Sequence, residues 1–411
     1  TTEIYTLSLH DALPIYVLGY FCESMIRDDV FYFTREHFLS VLQNCCRERY
    51  FDLEIQVVFD VLYRNNIIVK RGNHFCFRFT FWIYYFAAHR MHHKKSFAEY
   101  IFEDMRYVRY PEIMEFYTGI DRQREDALRV IIDDMSVIRA QVQSKCGLSD
   151  ELNPYRFFQW NPSSEAIEKM QKEIEDGVMD SNLPASVKDH YADSNYDRSK
   201  PYNQDIRNIL SENTFVQMFH SIIAGSRALR NSDYVDPEVK KELLCIIIDC
   251  WDEVTKVMLI IAPILAETKG VTYDGLYVML GANFGDTAEK RFFNILNQVP
   301  SNVVRWFQED LFSQKMGPLL FDRLNNETSQ IRKHEIILML INQRPRGWRE
   351  IVESYIVSIS KNSFFLWNIN NTLRLQYRYS YASKRNLIDM EYLIKWRRQN
   401  IPPAAKILAL S

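Results

Sequence analysis

Ile67–Phe79 reads IIVKRGNHFCFRF. Ile67, Ile68 and Val69 are β-branched and favour an extended backbone. Arg71-Gly72-Asn73 supplies a turn, and Phe75, Phe77 and Phe79 then alternate with Cys76 and Arg78. Alternation at period two predicts a β-hairpin with one aromatic face. Upstream, Tyr16, Leu18, Phe21, Cys22 and Met25 recur at helical spacing. Thr34 is suited to cap a second helix, with Phe33 and Phe38 as a hydrophobic staple across its start. That helix carries Phe38, Val41, Leu42 and Cys45 on one face, as period 3.6 requires. Asp52 is the expected cap of a third helix, whose stripe is Ile55, Val58, Phe59 and Leu62.

Three helices followed by a two-stranded wing predict a winged helix over residues 16–95. Helical patterning resumes from Thr80 to Met135, so 96–146 reads as a helical extension. Residues 147–205 hold Pro154, Pro162, Pro184 and Pro201 among many Asn, Asp and Ser residues, with one short charged helix near Ser164–Gly177. That composition predicts a partly extended connector. Residues 206–411 turn helical again: Asp236-Pro237 starts one helix with Pro in its first turn, and Pro300, Pro318 and Pro345 are expected to break others. With 12 Gly and 13 Pro in 411 residues, long helices are favoured over many short strands. The predicted fold is mainly α: a winged helix with a small β-hairpin, then a HEAT-like array of helices.

Net charge is -3, so the whole chain lacks the basic excess of a general nucleic-acid binder. Its seven cysteines follow no CxxC or Cys/His zinc spacing and read as free thiols of a reducing cytoplasm. The longest apolar run, Val257–Leu265, falls short of the roughly 18–20 residues needed to span a bilayer. A cytoplasmic protein without membrane contact is expected.

Residues 1–15, TTEIYTLSLHDALPI, resemble a translated sequencing adapter, a contaminant of metagenomic contig ends. On that reading they are an artefact to be set aside, and the natural protein extends further upstream.

FRFTFWIYYFAAHRM, Phe77–Met91, resembles the segment following the winged helix in bacterial STAND-type NTPases, the NACHT- and AAA+-like signalling ATPases associated with defence against phage. YPEIMEFYTGIDR (Tyr110–Arg122), SRALRNSDYV (Ser226–Val235), KMGPLLFDRL (Lys315–Leu324) and KNSFFLWNINNTLRLQY (Lys361–Tyr377) are similar to the same group. The resemblance implies an upstream effector and P-loop domain, a winged helix that packs on bound nucleotide, and a helical arm that senses a trigger. It therefore implies a non-catalytic regulatory and sensor fragment, in anti-phage defence or stress signalling. ATP or ADP and magnesium would bind upstream, with no cofactor in this stretch. The implied partners are the chain's own upstream NTPase domain, a trigger macromolecule of protein type, and further copies of the chain on activation. The competing reading is a winged-helix DNA-binding regulator with a helical ligand- or partner-binding domain.

Cradling ATP in a P-loop needs GxxxxGK[ST], yet no glycine here precedes a lysine, so no ATPase activity is expected of this stretch. LCIIIDCWDE, Leu244–Glu253, imitates a Walker B strand, with Asp249 for magnesium and Glu253 for water. Its apolar residues continue at helical period through Ile261, which favours a buried amphipathic helix. His89, His92 and His93 cluster after the wing. In related switch proteins a winged-helix histidine contacts nucleotide phosphate, which makes His92 the candidate, whereas a solvated helix end is the plainer reading. Residues 16–95 hold 11 Lys/Arg against 8 Asp/Glu, and the presumed recognition helix carries Glu54, Asp60 and Arg64. Lys70 and Arg71 at the wing tip could meet phosphate, but protein packing is favoured over DNA. At the C-terminal end Arg374, Arg378, Lys384, Arg385, Lys395, Arg397 and Arg398 interleave with Tyr377, Tyr379, Tyr381 and Trp396. Arg374, Arg378, Arg397 and Arg398 are the candidate partner contacts. Single-stranded nucleic acid would suit such a surface, but a capping helix pair with a solvated charged face is preferred.

Overall fold

Helices dominate because the chain rarely offers a residue that stops one. The computed structural model describes residues 12–149, 152–155, 163–182, 214–273, 276–281, 284–360 and 362–400. Sixteen α-helices and two antiparallel hairpins are found among them. No helix among the described residues is long and apolar enough to cross a membrane. Two compact units emerge, one from residues 1–131 with 223–240, the other from 132–222 with 241–411.

The first unit opens with α1 (Ala12–Asp28), α2 (Arg35–Arg49) and α3 (Ile55–Arg64). Helix α1 begins at Ala12, so the last four residues of the stretch set aside above are helical. Thr1–Asp11 lie outside the described residues. Thr34 caps α2 by accepting from His37 N at 3.1 Å, and Phe33 stacks on Phe38 at 5.7 Å. Asp52 does not cap α3. The helix starts at Ile55 behind Glu54, whose side chain makes no cap bond.

Strand β1 (Ile68–Arg71) pairs with β2 (His74–Phe77), Ile68 opposite Phe77 and Arg71 opposite His74. Only Gly72 and Asn73 remain for the turn, and Gly72 takes φ +61, a conformation glycine adopts without a Cβ penalty. Phe33 forms an antiparallel bridge to Phe75, with N–H···O bonds of 2.9 and 2.7 Å. The shared aromatic face holds for Phe75 and Phe77 and fails at Phe79, which leaves the strand and stands 52% exposed.

The helices expected from Thr80 to Met135 are five elements, the last running on to Cys146. These are α4 (Phe81–His93), α5 (Lys95–Phe102), a 3₁₀ segment (Glu103–Arg109), α6 (Pro111–Ile120) and α7 (Glu125–Cys146). Helix α1 packs on α4, and α4 on α6. Gly19 makes the first contact possible, since a Cβ there would sit 2.9 Å from the Phe86 carbonyl oxygen. Residues 223–240 join this unit as the end of α9 (Thr214–Asn231) and the start of α10 (Pro237–Thr268).

Of the 147–205 stretch, residues 147–149, 152–155 and 163–182 are described, and they belong to the second unit. Within it α8 (Ser164–Met179) buries Ile167, Met170, Ile174 and Val178, and Tyr155 is fully buried, donating to the Leu296 carbonyl at 3.1 Å. Helix α10 runs unbroken through Leu244–Glu253. A hairpin of β3 (Gly270–Tyr273) and β4 (Leu276–Met279) follows. Then come α11 (Ala288–Leu311), α12 (Gly317–Asn326), α13 (Gln330–Gln343), α14 (Trp348–Ser358), α15 (Ser363–Tyr379) and α16 (Lys384–Asn400). Pro300 breaks nothing, since it lies inside α11. Pro318 starts α12, and Pro345 separates α13 from α14. Helix α13 is buried on every side from His334 to Ile341, which marks it as the central helix. Helices α11, α12, α14 and α15 pack around it.

Candidate functional site

His92 sits on the last turn of α4 and is committed to its neighbours. Its Nε2 donates to the Tyr117 carbonyl at 3.0 Å, and its ring stacks on Tyr117 with centroids 4.4 Å apart. Burial lowers its pKa, assisted by the Arg124 guanidinium. Arg124 also donates to the Tyr117 hydroxyl and pairs with Asp126 at 2.7 Å. His89 is half-buried edge-on to Tyr85 at 4.7 Å, and burial lowers its pKa as well. His93 alone of the three is exposed.

Sequence reasoning missed the polar centre of the first unit. Glu23 of α1 is 5% exposed and accepts from Arg90 Nε at 2.8 Å, Arg27 Nε at 3.0 Å and Lys94 Nζ at 3.2 Å. Burial works to raise its pKa, but the three cations prevail and hold it below the ordinary carboxylate value. Arg90 is itself 2% exposed and lies over Tyr16 and Tyr20. The available signal was Arg90 inside the apolar run of α4, since a buried cation needs a partner.

The Walker B mimic is part of an ionic network on α10. Asp249 meets Arg323 at 3.2 Å, Arg332 at 3.6 Å and Arg139 at 3.7 Å. Glu253, 1% exposed, meets Lys256 at 3.3 Å and Arg139 at 3.5 Å. Glu327 accepts from Arg323 at 2.6 Å and Arg332 at 3.0 Å. Asp252 pairs with Lys256 at 3.3 Å and Arg332 at 3.5 Å. Both residues of the mimic are thus occupied by cations. Among the described residues no group of three or more His, Cys, Asp or Glu is placed to hold a metal.

Glu335 of α13 adds a carboxyl that forms no ion pair among the described residues, with Arg332 acting on it only at longer range. It is fully buried, and its Oε1 accepts from Thr255 at 2.7 Å while Oε2 has no partner. Burial pushes it up to about 8, only partly opposed by Thr255. It therefore carries a proton at neutral pH. Beside it, His334 donates from Nε2 to Asn368 at 3.1 Å, meets the Tyr355 hydroxyl through Nδ1 at 3.2 Å, and stacks on Phe365 at 4.1 Å. Burial drops its pKa to about 3.

The basic C-terminal end divides. Arg374 and Arg378 are exposed, as are Lys384 and Arg385. Arg397 is not a surface contact: it is 4% exposed, with Nη1 donating to the Leu366 carbonyl at 3.3 Å. It lies on the same face of α16 as the buried Met390 and Leu393, two turns and one turn earlier. The Arg398 side chain lies outside the described residues. Tyr377 is 44% exposed, Tyr379 69%, and Tyr381 fully exposed.

Compared with known proteins, the chain matches no family model, no curated protein and no solved structure.

Proposed function

We propose that this chain is a non-catalytic regulatory and sensor part of a bacterial STAND-type signalling NTPase. In this reading residues 16–95 form a winged helix and the helices of 206–411 a HEAT-like sensor array. The observation that supports it best is the ordering of α1, Phe33, α2, α3 and the β1–β2 hairpin. The Phe33–Phe75 bridge gives the hairpin a third edge, drawn from between α1 and α2, as a winged helix needs. The resemblance of Phe77–Met91 then supplies the family. ATP or ADP and magnesium would be bound by the upstream domain. His92 would reach nucleotide only by leaving Tyr117, so its proposed role requires a rearrangement of α4 against α6. The trigger would be a macromolecule sensed by the second unit, with self-association on activation.

The DNA-regulator alternative draws less support. Helix α3 exposes Gln56, Tyr63 and Arg64, and its Asp60 is paired with Arg35 at 3.2 Å. That surface has little to offer phosphate. The test is to read the source DNA upstream and express the longer protein. A GxxxxGK[ST] loop is expected, with ATP turnover lost when its lysine is replaced, and no turnover by the present chain alone. An initiation codon directly before Tyr16, together with duplex-DNA binding, would replace this reading by the regulator.

A further inference from the structure

We infer that the Arg374–Ile388 segment, at the end of α15 and the start of α16, is a binding platform for single-stranded nucleic acid. This goes beyond the regulatory reading and does not depend on it. From Ser354 to Ile388 the chain contains no Asp or Glu. Within that acid-free stretch Arg374, Arg378, Lys384 and Arg385 are all exposed. Among them stand Tyr377, Tyr379 and Tyr381, 44%, 69% and fully exposed.

A capping helix pair would put such rings into a core, because an aromatic ring buries a large apolar area. Here all three remain exposed, Tyr379 and Tyr381 for most of their surface. Alternating rings and cations, without carboxylates, is the composition that lets bases stack while phosphates are neutralised. Arg378 already lies over the Tyr379 ring, 5.3 Å from its centroid.

The backbone at this place is fixed. Arg344 donates to Gln376 Oε1 at 2.8 Å, tying the last turn of α15 to the end of α13. Ser380 N and Oγ both donate to the Gln376 carbonyl, at 3.1 and 2.6 Å. Ser380 is extended, with ψ 147, and Ser383 Oγ caps α16 by accepting from Asn386 N at 3.2 Å. The first turn of α16 carries Lys384 and Arg385 and no acid. Cations there add to the positive end of the helix dipole instead of offsetting it. A site held this way pays little ordering entropy when it binds. An acidic protein would use the charges but would not need three solvated rings, so the rings favour nucleic acid.

The experiment is fluorescence anisotropy of the full chain with a labelled oligo(dT) 20-mer, with a glutamate-rich 20-mer peptide as competitor. The salt slope should be about −0.7 per neutralised phosphate. Four cations set a limit of roughly fifty-fold weakening between 50 and 200 mM salt. The Tyr379→Ala/Tyr381→Ala double variant should weaken binding at least about tenfold. Tyr379→Phe/Tyr381→Phe should retain it, and Arg378→Ala should shallow the salt slope. Thermal melting should be unchanged throughout, because these side chains are exposed. Absent binding of the oligonucleotide, binding indifferent to both alanines, or equal competition by the peptide would each overturn the proposal.

Discussion

Glu335 and His334 are neighbours in sequence, both fully buried, and shifted in opposite directions. For Glu335 the folded value, about 8, lies above the unfolded carboxyl value of roughly 4.3. Between the two, the folded state holds a proton that the unfolded state has released. Stability therefore falls as pH rises through that window. Burial of the unpaired carboxylate makes the loss on the order of a few kcal/mol. Wild-type protein should lose thermal midpoint between pH 6 and pH 9, and Glu335→Gln should lose distinctly less while matching wild type near pH 5. Parallel melting curves for the two proteins across this range would show that Glu335 is not the group responsible. His334 carries the opposite sign, costing stability as pH falls from about 6.5 towards about 3. The paired shifts leave a plateau near pH 5–6 where the two slopes cancel.

At the scale of elements, the hairpin is a packing device. Phe77 is 5% exposed and lies near Phe33 and Phe86, at 6.2 and 6.1 Å between ring centroids. Phe77→Ala should destabilise the first unit by about 3–5 kcal/mol, whereas Arg71→Ala, at an exposed turn, should change it by less than about 0.5 kcal/mol. Urea denaturation of both variants decides it, and equal costs would refute the assigned face. The hairpin, α2 and its cap were legible because their determinants are local: alternation, a turn glycine, and a threonine before an apolar stripe. The β3–β4 hairpin had the same kind of signal, Asp274-Gly275 between two β-prone runs, and was overlooked among helices. Glu23–Arg90 was not legible, because the partners are far apart in sequence and nothing local reveals which buried cation meets which carboxylate. Arg397 misled for a related reason. Charge in a sequence reads as surface; helical spacing places Arg397 on the face of Leu393 and Met390, but only packing reveals that this face is buried.

For the molecule as a whole, the first unit is assembled from two distant stretches of chain. Arg227 pairs with Glu112 at 2.8 Å and Arg230 with Glu115 at 2.5 Å. Asn231 Nδ2 donates to the Glu115 carbonyl at 3.0 Å, and Arg122 meets Asp233 at 2.6 Å. These bonds fasten residues 223–240 to α6 and to Arg122 just beyond its end. Native-state hydrogen exchange should therefore show amides of α6 and of 223–231 opening with one common free energy, as a cooperative unit does. Two separate free energies would mean that the late segment is an accessory.

The same discontinuity has a bearing on biosynthesis. Roughly ninety residues separate Ile131 from Ile223, and at about 5–20 residues per second their translation takes on the order of 5–20 s. Throughout that interval the emerging α6 presents Glu112 and Glu115 without their arginines. The nascent first unit is thus exposed to proteases and to chaperones at a defined stage, and a pause site placed before residue 223 would lengthen the exposure.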